Sequence, residues 1–251
     1  MHYIRILTLT HLRILNLAID IGNSQTKFAL FNKDELKEVF SQQQGIEFIL
    51  ENKKVKNAII SKTGLNDEIE YRLKEKKIKT LVLSHQLKLP LEILYKTPET
   101  LGADRIAGSV AASALFAGQN VLKVDFGTCI TYDFVNNKQQ YLGGAISPGM
   151  IMRFKSLHNY TVKLPLVDPM QHLQYDLTGV DTTTSILSGV VNGIKAEVDG
   201  IIKEYQQRFG NLQVVGTGGD AGFFVTVLKN EIFARPYLVL EGLNRILNYN
   251  L

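Results

Sequence analysis

At 251 residues, with 45% hydrophobic and 21% charged side chains, the chain can bury a large core and exceeds the usual length of one domain, so two lobes are expected. Its net charge of +4, from 28 basic and 24 acidic residues, is scattered; it suits a phosphate-rich small ligand and is too weak to build a nucleic-acid surface. The single cysteine, Cys129, excludes an intramolecular disulfide and a cysteine-cluster metal site, and no apolar run approaches the roughly 20 residues of a membrane span, so a cytoplasmic location without membrane contact is expected.

Residues 1–14 carry an apolar run broken by Arg5, His11 and Arg13, with no small-residue cleavage site after it. That pattern is not a signal peptide; it predicts a poorly ordered extension or a start codon assigned too far upstream. The patterned fold begins with an apolar strand from Ile14 to Ile19, a polar turn from Asp20 to Ser24 and a second strand from Thr26 to Phe31. A turn at 32–34 and a third strand follow, then a helix over 46–52, a strand from Asn57 to Ser61, and a helix capped by Asn66 and running to about Lys77. Thr80 to Leu83 reads as a short strand, and Pro90 and Pro98 make the next segment strand and loop. An alanine-rich helix over 103–117 ends at Gly118.

From Asn120 the order begins again. Val121 to Val124 is an apolar strand, Asp125 to Thr128 a turn, and Ile130 to Val135 a second strand. A third strand near Tyr141 leads into a glycine-rich loop, Gly143-Gly144 to Pro148-Gly149, and a helix to about Leu157. A long helix spans Thr182 to Phe209, although Gly189, Gly193 and Gly200 inside it argue for interruption. The strand Leu212 to Val215 meets Gly216-Thr217-Gly218-Gly219-Asp220 and another helix, and a helix over 240–248 closes the chain. The pattern divides the chain into an extension at 1–14, an N-terminal lobe at 15–118 and a C-terminal lobe at 119–251.

The repeated order of strand, Asp-x-Gly turn and strand has a chemical reading. Glycine lets the backbone approach closely and turn its amides toward phosphate oxygens. Ser24 adds a hydroxyl donor, Lys27 a positive charge, and Asp20 a carboxylate that can hold magnesium through water. One such turn reads more readily as an ordinary hairpin with turn-favouring residues; two, each after a buried strand, favour phosphate binding. The Gly216–Gly219 loop suits a nucleotide's sugar and base. In Leu101-Gly102-Ala103-Asp104-Arg105, Asp104 falls in a helix's first turn. There it is either a helix-start residue paired with an arginine or a general base for an attacking hydroxyl.

Several segments together resemble type III pantothenate kinases: Asp20-Ile21-Gly22-Asn23-Ser24-Gln25-Thr26-Lys27, Gly102-Ala103-Asp104-Arg105, Asp125-Phe126-Gly127-Thr128, Gly143 to Gly149, Leu164-Pro165, Thr182 to Ile186 and Thr217 to Ala221. The resemblance runs from about Leu15 to the C-terminus. It implies an α/β fold of two duplicated ribonuclease H-like (actin-like) lobes, each a mixed sheet flanked by helices, with the nucleotide in the cleft between them. It further implies ATP-dependent phosphorylation of pantothenate, with ATP bound by Asp20, Ile21, Gly22, Asn23, Ser24, Gln25, Thr26, Lys27 and Thr128, and Asp104 as proton acceptor. Tyr95, Gly102, Ala103, Asp104, Arg105 and Thr182 would contact pantothenate. Magnesium and a monovalent cation, potassium or ammonium, are implied, the latter on Asp125, and so is a homodimer. Asp181 and Cys129 depart from the asparagine and alanine usual in the family. The competing expectation is a non-catalytic, ATP-binding regulatory protein of the same fold.

Overall fold

The computed structural model of the protein describes residues 15–22, 25–51, 54–62, 67–169 and 176–251. The expected extension at 1–14, Asn23 and Ser24 of the first turn, and the cap at Asn66 lie outside the described residues.

The first half supplies β1 (Leu15–Ile21), β2 (Thr26–Asn32), β3 (Glu35–Ser41), α1 (Gln42–Glu51), β4 (Val55–Lys62), α2 (Asp67–Glu75) and β5 (Lys79–Val82). These strands form one sheet in the order β3-β2-β1-β4-β5, with β1 antiparallel to β2 and parallel to β4. Then come β6 (Glu92–Ile93), a 3₁₀ turn at Pro98–Thr100 and α3 (Ala103–Leu115).

The second half supplies β7 (Asn120–Phe126), β8 (Cys129–Val135), β9 (Gln140–Pro148), α4 (Met150–Asn159), α5 (Thr182–Phe209), β10 (Leu212–Thr217), α6 (Ala221–Val227), β11 (Phe233–Ala234) and α7 (Leu238–Tyr249). Its sheet runs β11-β10-β7-β8-β9-β6. Here β7 is antiparallel to β8 and parallel to β10, the same pattern that β1 shows with β2 and β4. Two segments cross between the halves: β6 pairs with β9 in the second sheet, and α7 packs on β1 and β4 of the first.

Strand alternation explains the layering. Leu17, Ile19 and Ile21 of β1 point outward and join Ile49 of α1 and Ile69 and Leu73 of α2. Ala18 points the other way, into a cluster with Ile106 and Val110 of α3 and Leu243 and Leu247 of α7. In the second half Leu122, Val124 and Phe126 of β7 face Val190, Val191 and Ile194 of α5, while Val121 faces Ala111 and Ala112 of α3. Helices α3 and α7 therefore form a layer between the sheets. They can lie close because Gly242 of α7 sits against the Ala107 carbonyl, where a Cβ would collide. No helix among the described residues is long and apolar enough to cross a membrane.

Two elements differ from the sequence expectation. The segment from Gly143 to Pro148 is strand, not loop. Gly144 lies against the Tyr132 carbonyl, and Gly143, at φ +112°, stands where the β8–β9 register shifts, so these glycines permit tight pairing and a bulge. Helix α5 is continuous for 28 residues, because the buried face of Ile186, Val190, Ile194 and Val198 outweighs the cost of its glycines. Helix α1 also begins earlier than expected, at Gln42.

Candidate active site

The alternation that sends Leu17 and Ile19 outward turns Asp20, two residues beyond Ala18, toward the inner layer. Asp125, two residues beyond Lys123, faces the same layer from the second sheet. Both strands then enter a tight turn, one residue shorter after β7: the Gly22 N–H donates to the Gln25 carbonyl at 3.1 Å, and the Gly127 N–H to the Cys129 carbonyl at 3.1 Å. Asp104 enters between them in the first turn of α3, where the helix dipole favours a carboxylate. The charges of Asp104 and Asp125 both act on Asp20, and that of Asp104 acts on Asp125. Three carboxylates carried by β1, α3 and β7 thus meet in one electrostatic site, although 84 and 105 residues of sequence separate the first from the others.

Burial raises the Asp20 pKa from 3.8 to about 6; Asp104 and Asp125 push the same way, while Ser61 and Lys27 oppose the rise. Ser61 and Lys27 are its register neighbours on β4 and β2. The Asp20 carboxyl should titrate near pH 6 in ligand-free protein, measurable by carbon-13 NMR. Its folded value lies above its unfolded one, so the unfolded chain ionises first. Asp20 alone therefore makes stability fall as pH rises from about 4 to about 6. A midpoint near 4 would show that solvent reaches this carboxylate freely.

The Gly216–Asp220 loop folds onto the second turn. Thr217 pairs with Asp125 in register, and the Asp220 N–H donates to the Phe126 carbonyl at 3.0 Å. Gly218 has φ +96°, and a Cβ there would lie 2.5 Å from both Asp125 Oδ1 and the Phe126 carbonyl oxygen. Only glycine satisfies this position. On the opposite side Gly149 packs on the carbonyls of Gly127 and Thr128, leaving Thr128 exposed at the tip.

Of the other candidate residues, Gln25 is exposed, Thr26 is buried and Lys27 is half-buried; Ile21 is buried and ends β1. Gly102 and Ala103 cap and begin α3. Arg105 is 7% exposed and turned inward, with Nε and Nη2 each 2.7 Å from Asp133 Oδ1. Tyr95 lies half-buried beside Gly143, its ring centroid 6.1 Å from that of Tyr141. Thr182 is exposed at the first position of α5. Asp181, the departure noted above, caps that helix: its carboxylate accepts from the Thr184 N–H at 2.8 Å, and the Thr184 hydroxyl accepts from the Asp181 N–H at 3.0 Å.

Sequence reasoning missed the buried group behind these residues. Asp133, fully buried on β8, accepts from Arg105 and from the Tyr141 hydroxyl at 2.7 Å, and pairs with Lys123 Nζ at 2.8 Å. The only sequence sign was a pair of charges, Lys123 and Asp133, inside otherwise apolar strands.

Among the described residues no group of three or more His, Cys, Asp or Glu side chains could by itself hold a metal ion. Asp20 Oδ1 is nevertheless buried with no hydrogen-bond partner, a carboxylate oxygen that fits a cation or its water. Magnesium suits such a site, since it commonly takes one or two carboxylates together with substrate phosphates and water.

A family model for type III pantothenate kinase matches residues 16–204. The chain is 44% identical over 241 residues to the type III pantothenate kinase of Phocaeicola vulgatus, covering 94% of this chain and 99% of that one. Among solved structures, a Baf family protein from Campylobacter jejuni aligns with a TM-score of 0.59 at 24% identity, covering 93% of this chain and 98% of the other. A ROK family glucokinase from Streptomyces griseus aligns with a TM-score of 0.50 at 11% identity, covering 94% and 99%. These likenesses identify the fold as the two-lobed α/β architecture of actin-like and ROK-like ATPases, with mixed sheets and flanking helices.

Proposed function

The chain belongs to the type III pantothenate kinase family, and from that premise we propose that it transfers the γ-phosphoryl group of ATP to the primary hydroxyl of pantothenate. The product is 4′-phosphopantothenate, the first intermediate of coenzyme A biosynthesis. The observation that carries the reading is the convergence of Asp20, Asp104 and Asp125 from two sheets and the helix between them.

The two lobes, 15–118 and 119–251, are duplicated ribonuclease H-like units, and the nucleotide lies in the cleft between them. Support comes from the shared connectivity of the two sheets and from the tight turns that end β1 and β7. The turn from Asp20 to Lys27 holds the ATP phosphates, with Lys27 neutralising charge, and Thr128 meets them from the second turn. In the family pattern Asn23 and Ser24 also contribute to phosphate binding. Phosphoryl transfer needs positioning and charge neutralisation more than covalent help from the protein. Asp104 accepts the hydroxyl proton, while Gly102, Ala103, Arg105, Tyr95 and Thr182 hold pantothenate. Arg105 does so from a fixed base, since Asp133 already ties down two of its nitrogens. Asp20 would hold magnesium and Asp125 a potassium or ammonium ion, which supply positive charge to the phosphates.

The test is a coupled assay with ATP, magnesium, potassium and pantothenate. Turnover that depends on pantothenate is expected; folded protein that binds nucleotide without turnover would favour a regulatory role instead.

The enzyme acts as a homodimer. Ser185, Gly189, Gly193, Ala196 and Gly200 share one face of α5, and among the described residues beyond the helix's own neighbouring backbone none lies within 4 Å of a Cβ at the three glycines. Each helical glycine costs about 1 kcal/mol relative to alanine, a cost that close approach of a second helix offsets. Sedimentation should give twice the 28.1 kDa chain mass, and Gly193→Arg should shift it to monomer. A wild-type monomer at micromolar concentration would refute the dimer.

A further inference from the structure

Lys123 has no part in the chemistry above, and its position is costly. It is 1% exposed, in the middle of β7, with Nζ 2.8 Å from Asp133 Oδ2. Burying an ammonium costs several kcal/mol unless its partners return it. The hub around Asp133 does not require it: without Lys123, Asp133 still holds Arg105 and the Tyr141 hydroxyl at 2.7 Å each. A methionine would fill the same space without the desolvation cost.

The fold makes specific room for this side chain. Gly108 lies within α3, where glycine is disfavoured, and a Cβ there would lie 2.8 Å from Lys123 Cδ and 3.1 Å from Nζ. The lysine thus runs beneath α3, on the same strand face as Asp125 two residues on, and packs against the helix at Gly108, one turn beyond Asp104. Its ion pair with Asp133 fixes the ammonium in place, and Asp125 and Asp104 are the other carboxylates whose charges act on it. Two of those three carboxylates belong to the proposed active site.

We propose that Lys123 is a positioning residue for phosphoryl transfer, a fixed ammonium held by Asp133 under Gly108 that orients Asp125 and Asp104 and offsets their mutual repulsion from beneath. It touches neither substrate and acts only through those carboxylates. The inference rests on the kinase reading above and goes beyond it.

The experiment measures kcat, both KM values and the melting temperature for wild type, Lys123→Met and Gly108→Ala. Lys123→Met leaves Asp133 paired and should fold; kcat should fall about 50-fold, with each KM within threefold of wild type. Gly108→Ala keeps the charge but displaces it, and should lower kcat about tenfold. A merely structural lysine would change melting temperature without this split between kcat and KM. Wild-type kcat in a folded Lys123→Met variant overturns the proposal. If that variant does not fold, Gly108→Ala decides: unchanged kcat overturns it and a tenfold loss supports it. Wild type without turnover removes the kinase reading and this inference together, whereas active wild type with unimpaired variants removes the inference alone.

Discussion

Asp104→Asn is expected to lower kcat by about 10³-fold while leaving the protein folded. A positioned general base contributes typically about 10²–10⁴-fold, and asparagine keeps the shape of the side chain while losing the proton acceptor. Folding should survive because the charge of Asp104 repels both Asp20 and Asp125, which offsets its attraction for Lys123. Removing that charge relieves repulsion on Asp20 and Asp125 and weakens the attraction on Lys123, so melting temperature should change little, and the Asp20 midpoint should drop below its value of about 6. Loss of turnover together with a downward shift at Asp20 would place Asp104 both in the chemistry and in the three-carboxylate site. Activity within tenfold of wild type would move the base elsewhere, to Asp20 or Asp125. The downward shift at Asp20 should occur in either case, because it depends on proximity and not on catalysis.

Features that depend on local backbone chemistry were legible in the sequence. The two Asp-x-Gly turns follow from glycine after a buried strand, and period-two alternation then decides which face each aspartate takes. The continuity of α5 was only half legible: its apolar face was visible, but whether three glycines would interrupt it depended on packing with β7 and β8. Gly143 and Gly144 misled for a related reason. Glycine marks a loop when the chain needs freedom, and a strand when a neighbouring carbonyl comes too close for a Cβ; only the β8–β9 register distinguishes the two. Asp133 was hidden for a third reason. Its partners sit on β7, β9 and α3, and nothing in a linear reading pairs Lys123 with Asp133 across a hairpin, or brings Arg105 to them from 28 residues away. The capping box at Asp181 and Thr184 escaped the sequence reading, which took Asp181 only as a departure from the family's asparagine; its signal was the spacing Asp-x-x-Thr.

Asp133→Ala should have the largest effect on stability, about 3–5 kcal/mol, the range for breaking a buried ion pair by removing one partner. Arg105 loses both of its short contacts and the Tyr141 hydroxyl loses its acceptor. Lys123, more deeply buried than Arg105, loses its ion pair, although the charges of Asp125 and Asp104 still act on it. The loss should therefore trace to both cations, and Asp133→Asn, which keeps an acceptor oxygen, should cost less than alanine. For a chain of this length such a loss lowers the melting temperature by roughly 6–20 °C. The pH dependence supplies a second check. Lys123 and Arg105 outweigh burial and hold the Asp133 pKa below its ordinary 3.8. A depressed carboxylate contributes stability that is fully present above the unfolded value, and loses it as pH falls through the folded value. Wild type and Asp133→Ala should therefore differ most at neutral pH and converge as acid protonates Asp133, the reverse of what Asp20 does between about pH 4 and 6. Parallel denaturation curves for the two proteins from neutral to acid pH would mean that the lost stability comes from packing at position 133 and not from the ion pairs.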